Sequence, residues 1–279
     1  MSTAAVENAV IAEGVTPPVH PRGRFAHYFE QAVAIPAAII VLVEIVLLLT
    51  SVIFRFFLHN PIVWADELAS TLFIWMGMLG SVLALQRGQH MRLTTIVTRS
   101  SPKVRPILEA LAVMGPALVL ALMLPHAIFY AYEESMITTP ALNWSLGVRA
   151  AALPVGIGLM LIVALTQLPR HSLKAIGVTG GILAVAALGL WALSPLLIGL
   201  GHISLILFFV VVLLGGVVLG VPIAFAFALA TAAYLLTMTD VPMLVMTSRM
   251  DEGMSSLILL AVPLFVFLGA LIEMTGMAA

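Results

Sequence analysis

The sequence predicts an all-α, polytopic helical membrane protein with about 7–8 transmembrane segments, and three observations carry that prediction. Of the 279 residues, 62% are hydrophobic and only 9% are charged, against about 45–50% and about 25% in an ordinary soluble domain. The apolar residues come in long solid runs rather than short alternating strands, which excludes a transmembrane barrel. Between Lys174 and Asp240 lie 65 residues without one Asp, Glu, Lys or Arg. A soluble enzyme, a nucleic-acid binder and a disordered chain are excluded, because none could dress its surface with so few charges. Mean hydropathy is +1.17.

A span needs about 20 apolar residues, at ~1.5 Å rise each, to cross ~30 Å of hydrocarbon. Residues Met1 to Pro21 read as a polar, Ala-rich tail, with no small-residue cleavage site after a long apolar run. The first run is Ala34 to Phe54, interrupted by Glu44. The second, Leu68 to Leu85, follows Asp66 and Glu67. The third, Ile107 to Ala131, starts beside Glu109 and contains Pro116 and Pro125. The fourth, Ala150 to Leu168, contains Pro154. As one helix the 65-residue uncharged stretch would be roughly 98 Å long, so it must fold back. Ser194-Pro195 with His202, and Gly220-Val221-Pro222, are the breakers. They divide it into spans near Ala175–Leu193, Ser204–Leu219 and Ile223–Met238. The last run, Leu257 to Ile272, carries Pro263 centrally and reads as a span or as one arm of a re-entrant hairpin.

Charge placement predicts the topology. Arg22, Arg24, Arg87, Arg92, Arg99, Lys103, Arg105, Arg170 and Lys174 fall on one side. Arg55, Arg149 and Arg249 fall on the other, with Asp66, Glu67, Glu133, Glu134, Asp240, Asp251 and Glu252. The first four spans are therefore expected N-in and C-in. The division expected along the chain is a cytoplasmic tail (1–24), a four-helix scaffold (25–172), a connecting helix (173–200) and a denser, Gly-rich part (201–279).

Several residues invite a chemical reading. Glu44 lies mid-span, where an ionisable group is costly unless paired or neutral. It is read either as a structural hydrogen-bonding acid or as a proton or ion site. Glu109 and Glu273 lie nearer span ends and can snorkel. Arg55, Pro61 and Trp64 suit interfacial anchoring, with Pro61 placed to open a short interfacial helix. Gly88 suits a helix C-cap, and Arg87 suits that end of the dipole. Gly216 and Gly220 have the spacing that permits close helix approach, as do Gly177 and Gly181. Gly220-Val221-Pro222 and Ala261-Val262-Pro263 have the broken-helix character of secondary transporters. The chain has no cysteine. It also lacks a Walker A sequence, a His-Glu-x-x-His and a Gly-x-Ser-x-Gly, so no enzyme is expected.

Two blocks together carry a family resemblance. Arg55, Pro61, Trp64, Asp66-Glu67, Leu72-Phe73-Ile74-Trp75, Gly80, Ala84, Arg87-Gly88 and His90 resemble the small membrane subunit of the tripartite ATP-independent periplasmic (TRAP) transporters. Leu214-Gly215, Gly220-Val221-Pro222-Ile223-Ala224-Phe225 and Leu260-Ala261-Val262-Pro263-Leu264-Phe265, with Gly269 and Gly276, resemble the start of the large membrane subunit. The chain departs from the pattern at Asp66, Ser70 and Arg92, the last following Met91 where the family tends to an acid.

The resemblance implies a fused permease of a bacterial or archaeal inner membrane, with the 173–200 helix as the fusion point. It implies uptake of an organic acid, a dicarboxylate or sugar acid. Sodium would be the coupling ion, with no other cofactor and no assignable metal ligand. A periplasmic binding protein would dock on Asp66, Glu67, Glu133 and Glu134. The lipid bilayer and the remainder of the large subunit are the other expected partners, and no nucleic acid is expected. The length implies a large-subunit part truncated within its first hairpin region. The alternatives are a non-transporting scaffold or assembly subunit, and an unrelated proton-coupled permease using Glu44.

Overall fold

The computed structural model of the chain describes residues 24–91, 95–199, 202–256 and 258–275. Arg22, Arg92, Gly276 and most of the expected tail lie outside these residues, as does Leu257. Among the described residues there is no strand, only an isolated antiparallel bridge between Thr138 and Ser145. Helices dominate because a backbone without water must satisfy its own N–H and C=O groups.

Helix α1 (Arg24–Phe56) is 33 residues, about 50 Å, longer than the run of apolar residues predicts. Helix α2 (Ala65–Arg87) ends at Gly88, whose φ of 68° is left-handed. There the Gly88 N–H reaches Leu85 O at 3.2 Å and the Gln89 N–H reaches Ala84 O at 2.9 Å. That is the Schellman pattern, so Gly88 caps the helix as expected. The short α3 (Thr95–Arg99) leads to α4 (Arg105–Glu134), which opens on Pro106 and keeps Pro116 and Pro125 inside. The short α5 (Gly147–Ala150) precedes α6 (Ala152–Gln167) and a 3-10 turn, Leu168–Arg170. Ser172 caps α7 (Leu173–Ile198), its hydroxyl accepting from Ala175 N at 3.3 Å.

Helix α7 corrects the expected break at Ser194-Pro195, because it runs through Pro195 to Ile198. Proline removes the N–H that would have satisfied Trp191 O four residues back. The Ser194 hydroxyl donates to that same carbonyl at 2.7 Å. The breaker supplies its own repair, and α7 ends at Ile198 with Gly199 as its C-cap.

The return path is α8 (His202–Phe208), a π-helical stretch (Phe209–Leu214) and α9 (Gly215–Val218). It ends in a second Schellman pattern at Gly220, φ 92°. The Gly220 N–H reaches Val217 O at 3.1 Å and the Val221 N–H reaches Gly216 O at 3.0 Å. Helix α10 (Ile223–Met238) has the bounds the sequence predicts. Helix α11 (Leu244–Met254) is short and polar. The last helix, α12 (Ala261–Met274), begins later than expected, and Pro263 sits in its first turn rather than centrally. A first-turn proline loses no hydrogen bond, since that N–H has no intrahelical partner. At 14 residues, about 21 Å, α12 is shorter than ~30 Å of hydrocarbon. Among the described residues five helices are long and apolar enough to cross a membrane: α1, α2, α4, the 147–170 segment and α7. The apolar helices after residue 202 are shorter.

Helix α1 packs on α2, α2 on α6 and α6 on α4, and α10 lies against α4 and α7. One core runs through both regions, from Ile74, Val119 and Leu153 to Val221, Phe225 and Ala226. Close approach is set by Gly156, where a Cβ would lie 2.7 Å from Met78 Cβ. Gly216 faces Ala226 on α10, whereas nothing lies within 4 Å of a Cβ at Gly177 or Gly181. The chain therefore has two ends. Loops 57–64 and 135–146, with α11, form an acidic end; residues 88–91, 97–104 and 168–172 form a basic end.

Candidate functional site

The motif residues gather at the two ends. At the acidic end Arg55 meets Asp66 at 3.2 Å, both about half exposed. Trp64 is 42% exposed and immediately precedes α2. Residues 57–64 form an irregular loop with His59 at φ 50°, so the short interfacial helix expected from Pro61 does not form. Glu67 turns inward: its Oε1 accepts from Ala141 N and its Oε2 from Leu142 N, both at 3.0 Å. Trp75 donates from Nε1 to Val148 O at 3.0 Å. Glu133 is exposed and Glu134 half-buried at the end of α4.

Arg149 and Asp251, which the sequence offers only as topology charges, are joined in the structure. Arg149 Nη2 donates to Asp251 Oδ2 at 2.6 Å, and the Tyr130 hydroxyl donates to the same oxygen at 3.1 Å. Asp251 is 2% exposed. One signal was available: Arg55, Arg149 and Arg249 are cations on the acid-rich side. Each pairs there with an acid, namely Asp66, Asp251 and Glu252. Beside Arg149 lies a cavity of about 300 Å³, lined by Asp66, Glu67, Ser70 and Thr71 from α2 and by Ser255 just after α11. It brings the acid pair of the first block beside the later polar segment.

At the basic end the two motif blocks touch. Arg87 pairs with Glu30 at 2.8 Å. The Ile223 N–H donates to Met91 O at 3.0 Å. The His90 ring meets Phe225 edge-on, with centroids 5.2 Å apart, and its Nε2 lies 3.3 Å from Ser81 O. Burial pulls the His90 pKa below its ordinary value, while the Ser81 carbonyl acts the other way. Pro222 caps α10, and Val221, 1% exposed, packs on Gly115 of α4. The turn Gly220-Val221-Pro222 is thus where the later helices seat on the first four. Pro263 is buried at the start of α12, which packs on α1.

Glu44 stands apart from both ends. It is 0% exposed, and neither carboxyl oxygen has a hydrogen-bond partner among the described residues. The pairs Arg55–Asp66 and Glu30–Arg87 at either end of α1 and α2 place residue 44 at the level of Phe73 to Gly77. That is deep in the bundle. Glu109 pairs with Arg105 one turn away at 2.8 Å, and Glu273 is exposed.

The family profile described as the DctQ component of tripartite ATP-independent periplasmic transporters matches residues 44–174. That described as the DctM component matches residues 207–279. A TRAP transporter small permease protein of Haemophilus influenzae is 31% identical over 84 residues, 30% of this chain and 52% of that protein. The sialic acid TRAP transporter permease protein SiaT of Haemophilus influenzae is 30% identical over 59 residues, 21% of this chain and 10% of that protein. The matched region thus spans about half of the first relative and a tenth of the second. Two component profiles in order on one polypeptide, with their motif blocks in contact at the basic end, make this chain a member of the TRAP transporter permeases in which small- and large-subunit parts are fused.

Proposed function

We propose that the protein is the membrane permease of a system that takes up an organic acid, coupled to sodium and fed by a periplasmic binding protein. The observation that carries this reading is the order of the DctQ and DctM profiles along one chain. The sialic acid named for SiaT is a sugar acid, which supports the substrate class. On this reading residues 25–172 are a scaffold, 173–200 a connecting helix and 201–279 the beginning of the transport part. The basic end faces the cytoplasm of the inner membrane, in keeping with the bias of Lys and Arg. The acidic end receives the binding protein.

The test is uptake into liposomes holding the membrane protein, with the binding protein outside and an inward sodium gradient. Labelled dicarboxylates and sialic acid are the substrates. Uptake is expected to need the binding protein and sodium together. Uptake driven equally by a proton gradient without sodium would overturn the coupling ion and move attention to Glu44, whose fully buried, unpartnered carboxyl favours that second reading. Glu44→Gln would then abolish flux. A third reading, a non-transporting scaffold, draws on the concentration of the five long helices before residue 199. Any binding-protein-dependent uptake excludes it.

A further inference from the structure

Three things could hold the 202–275 part on the first four long helices: the covalent link, apolar contact, or a specific lock. The link is a poor clamp. Along α7, Val185, Trp191 and Leu196 are each about 70% exposed. Apolar contact carries little direction, because hydrocarbon is as apolar as the leucine it would replace. The contact with direction is at the acidic end. Asp251 on α11 accepts from Arg149 at 2.6 Å and from Tyr130 at 3.1 Å, across 102 and 121 residues of sequence. The ion pair is largely desolvated, with side-chain exposures of 24% and 3%. A buried pair adds little net stability over well-packed apolar residues, yet removing one partner strands a charge, and such pairs can set register.

We propose that Tyr130, Arg149 and Asp251 form the lock that sets where the 202–275 part seats on the four-helix part, and that it works without the covalent link. Tyr130 and Arg149 belong to the region matched by the DctQ profile, and Asp251 to that matched by the DctM profile. The exposed pair Arg249–Glu252, on the same helix, faces away from this contact. The basic-end contact, where the Ile223 N–H donates to Met91 O, His90 meets Phe225 and Val221 packs on Gly115, joins the two parts around residues 221–225. It leaves the acidic end to define the angle.

The chain has no cysteine, so introduced cysteines can be spin-labelled without background. Met136→Cys with Glu252→Cys, both at exposed positions, reports the seat. Phe57→Cys with Met136→Cys reports the four-helix part by itself. The otherwise unaltered chain is expected to give one narrow seat distance. It should keep that distance after cleavage at a protease site inserted between Leu168 and Ser172. Asp251→Asn and Arg149→Gln should each broaden the seat distribution at least two-fold and leave the second pair unchanged. Tyr130→Phe should broaden it less. Arg149→Leu with Asp251→Leu should keep the cleaved halves together while the distribution stays broad, which separates a register lock from simple adhesion. An unchanged narrow distribution in Asp251→Asn or Arg149→Gln overturns the proposal. So do halves that part once the unaltered chain is cut. If Asp251→Asn disturbs the four-helix pair as well, Tyr130→Phe, which removes one oxygen, decides by the same criterion.

Discussion

Glu67 uses both carboxylate oxygens to hold the loop after α4, through Ala141 N and Leu142 N. Hydrogen bonds to a charged group contribute about 1.5–3 kcal/mol each, and a lost acceptor leaves two amides to find water. Glu67→Ala is therefore expected to destabilise this loop and the protein with it. It should appear as a lower Tm of the detergent-solubilised protein and faster proteolysis between Pro140 and Trp144; Glu67→Gln should lose about half as much. His90 makes a pH prediction. Its folded pKa lies below 6.5 because burial disfavours the charged ring. The unfolded chain thus takes up the proton first as pH falls. Stability from this group is full above pH 6.5 and is lost as pH drops through the folded pKa. A Tm series from pH 7.5 to 5 should fall in the parent and fall less in His90→Gln. The exposed pairs Arg55–Asp66 and Arg249–Glu252 contribute at most about 1 kcal/mol each. Their value lies in allowing cations on the acidic side.

Helix ends decide how far each element runs. Gly88 and Gly220 end α2 and α9 in left-handed conformations that a side chain adopts only at a cost of about 1–2 kcal/mol. Gly177 lies in the second turn of α7 with open space around it, so alanine there should be neutral or stabilising by up to about 1 kcal/mol. Gly220→Ala and Gly177→Ala are expected to shift Tm in opposite directions, or down and not at all. Equal shifts would contradict the Schellman assignment. Proline is less decisive than its propensity implies. Pro36, Pro116, Pro125 and Pro195 all stay inside helices, because a membrane segment has no water to donate to the freed carbonyl and a neighbouring hydroxyl can donate instead. Ser194 does so at Trp191 O, and for that reason Ser194-Pro195 does not break the chain.

At the scale of the molecule, the acid-rich end is the expected docking face. Of the four acids expected there, Glu67 is held by its own loop, whereas Asp66, half exposed in a surface pair with Arg55, and Glu133 and Glu134 stay accessible to a partner. Reversing these three to lysine should weaken binding-protein affinity at least ten-fold at low salt, with a smaller difference at 0.5 M salt, where screening shortens the reach of surface charges. Titration by surface plasmon resonance at both ionic strengths checks it. Unchanged affinity would remove this face from docking. Much of the architecture was legible beforehand: the first four spans, α10 to the residue, and Gly88 as a cap. Glu44 was legible as an anomaly and remains one, buried without a partner. The pairing of Arg149 with Asp251 was not legible, because the two residues lie 102 positions apart and neither falls in a local pattern.

Charge scarcity, run length and the placement of twelve cations by themselves determined that this chain is a bundle of apolar helices with one basic and one acidic end. These are consequences of solvation, which acts on each segment independently of the others. Only the tertiary structure decided which charges are neutralised, where α7 ends, and how α10 and α11 seat on α4. Those outcomes depend on what a side chain meets across the bundle. A buried arginine is tolerated, or not, according to the one carboxylate that reaches it.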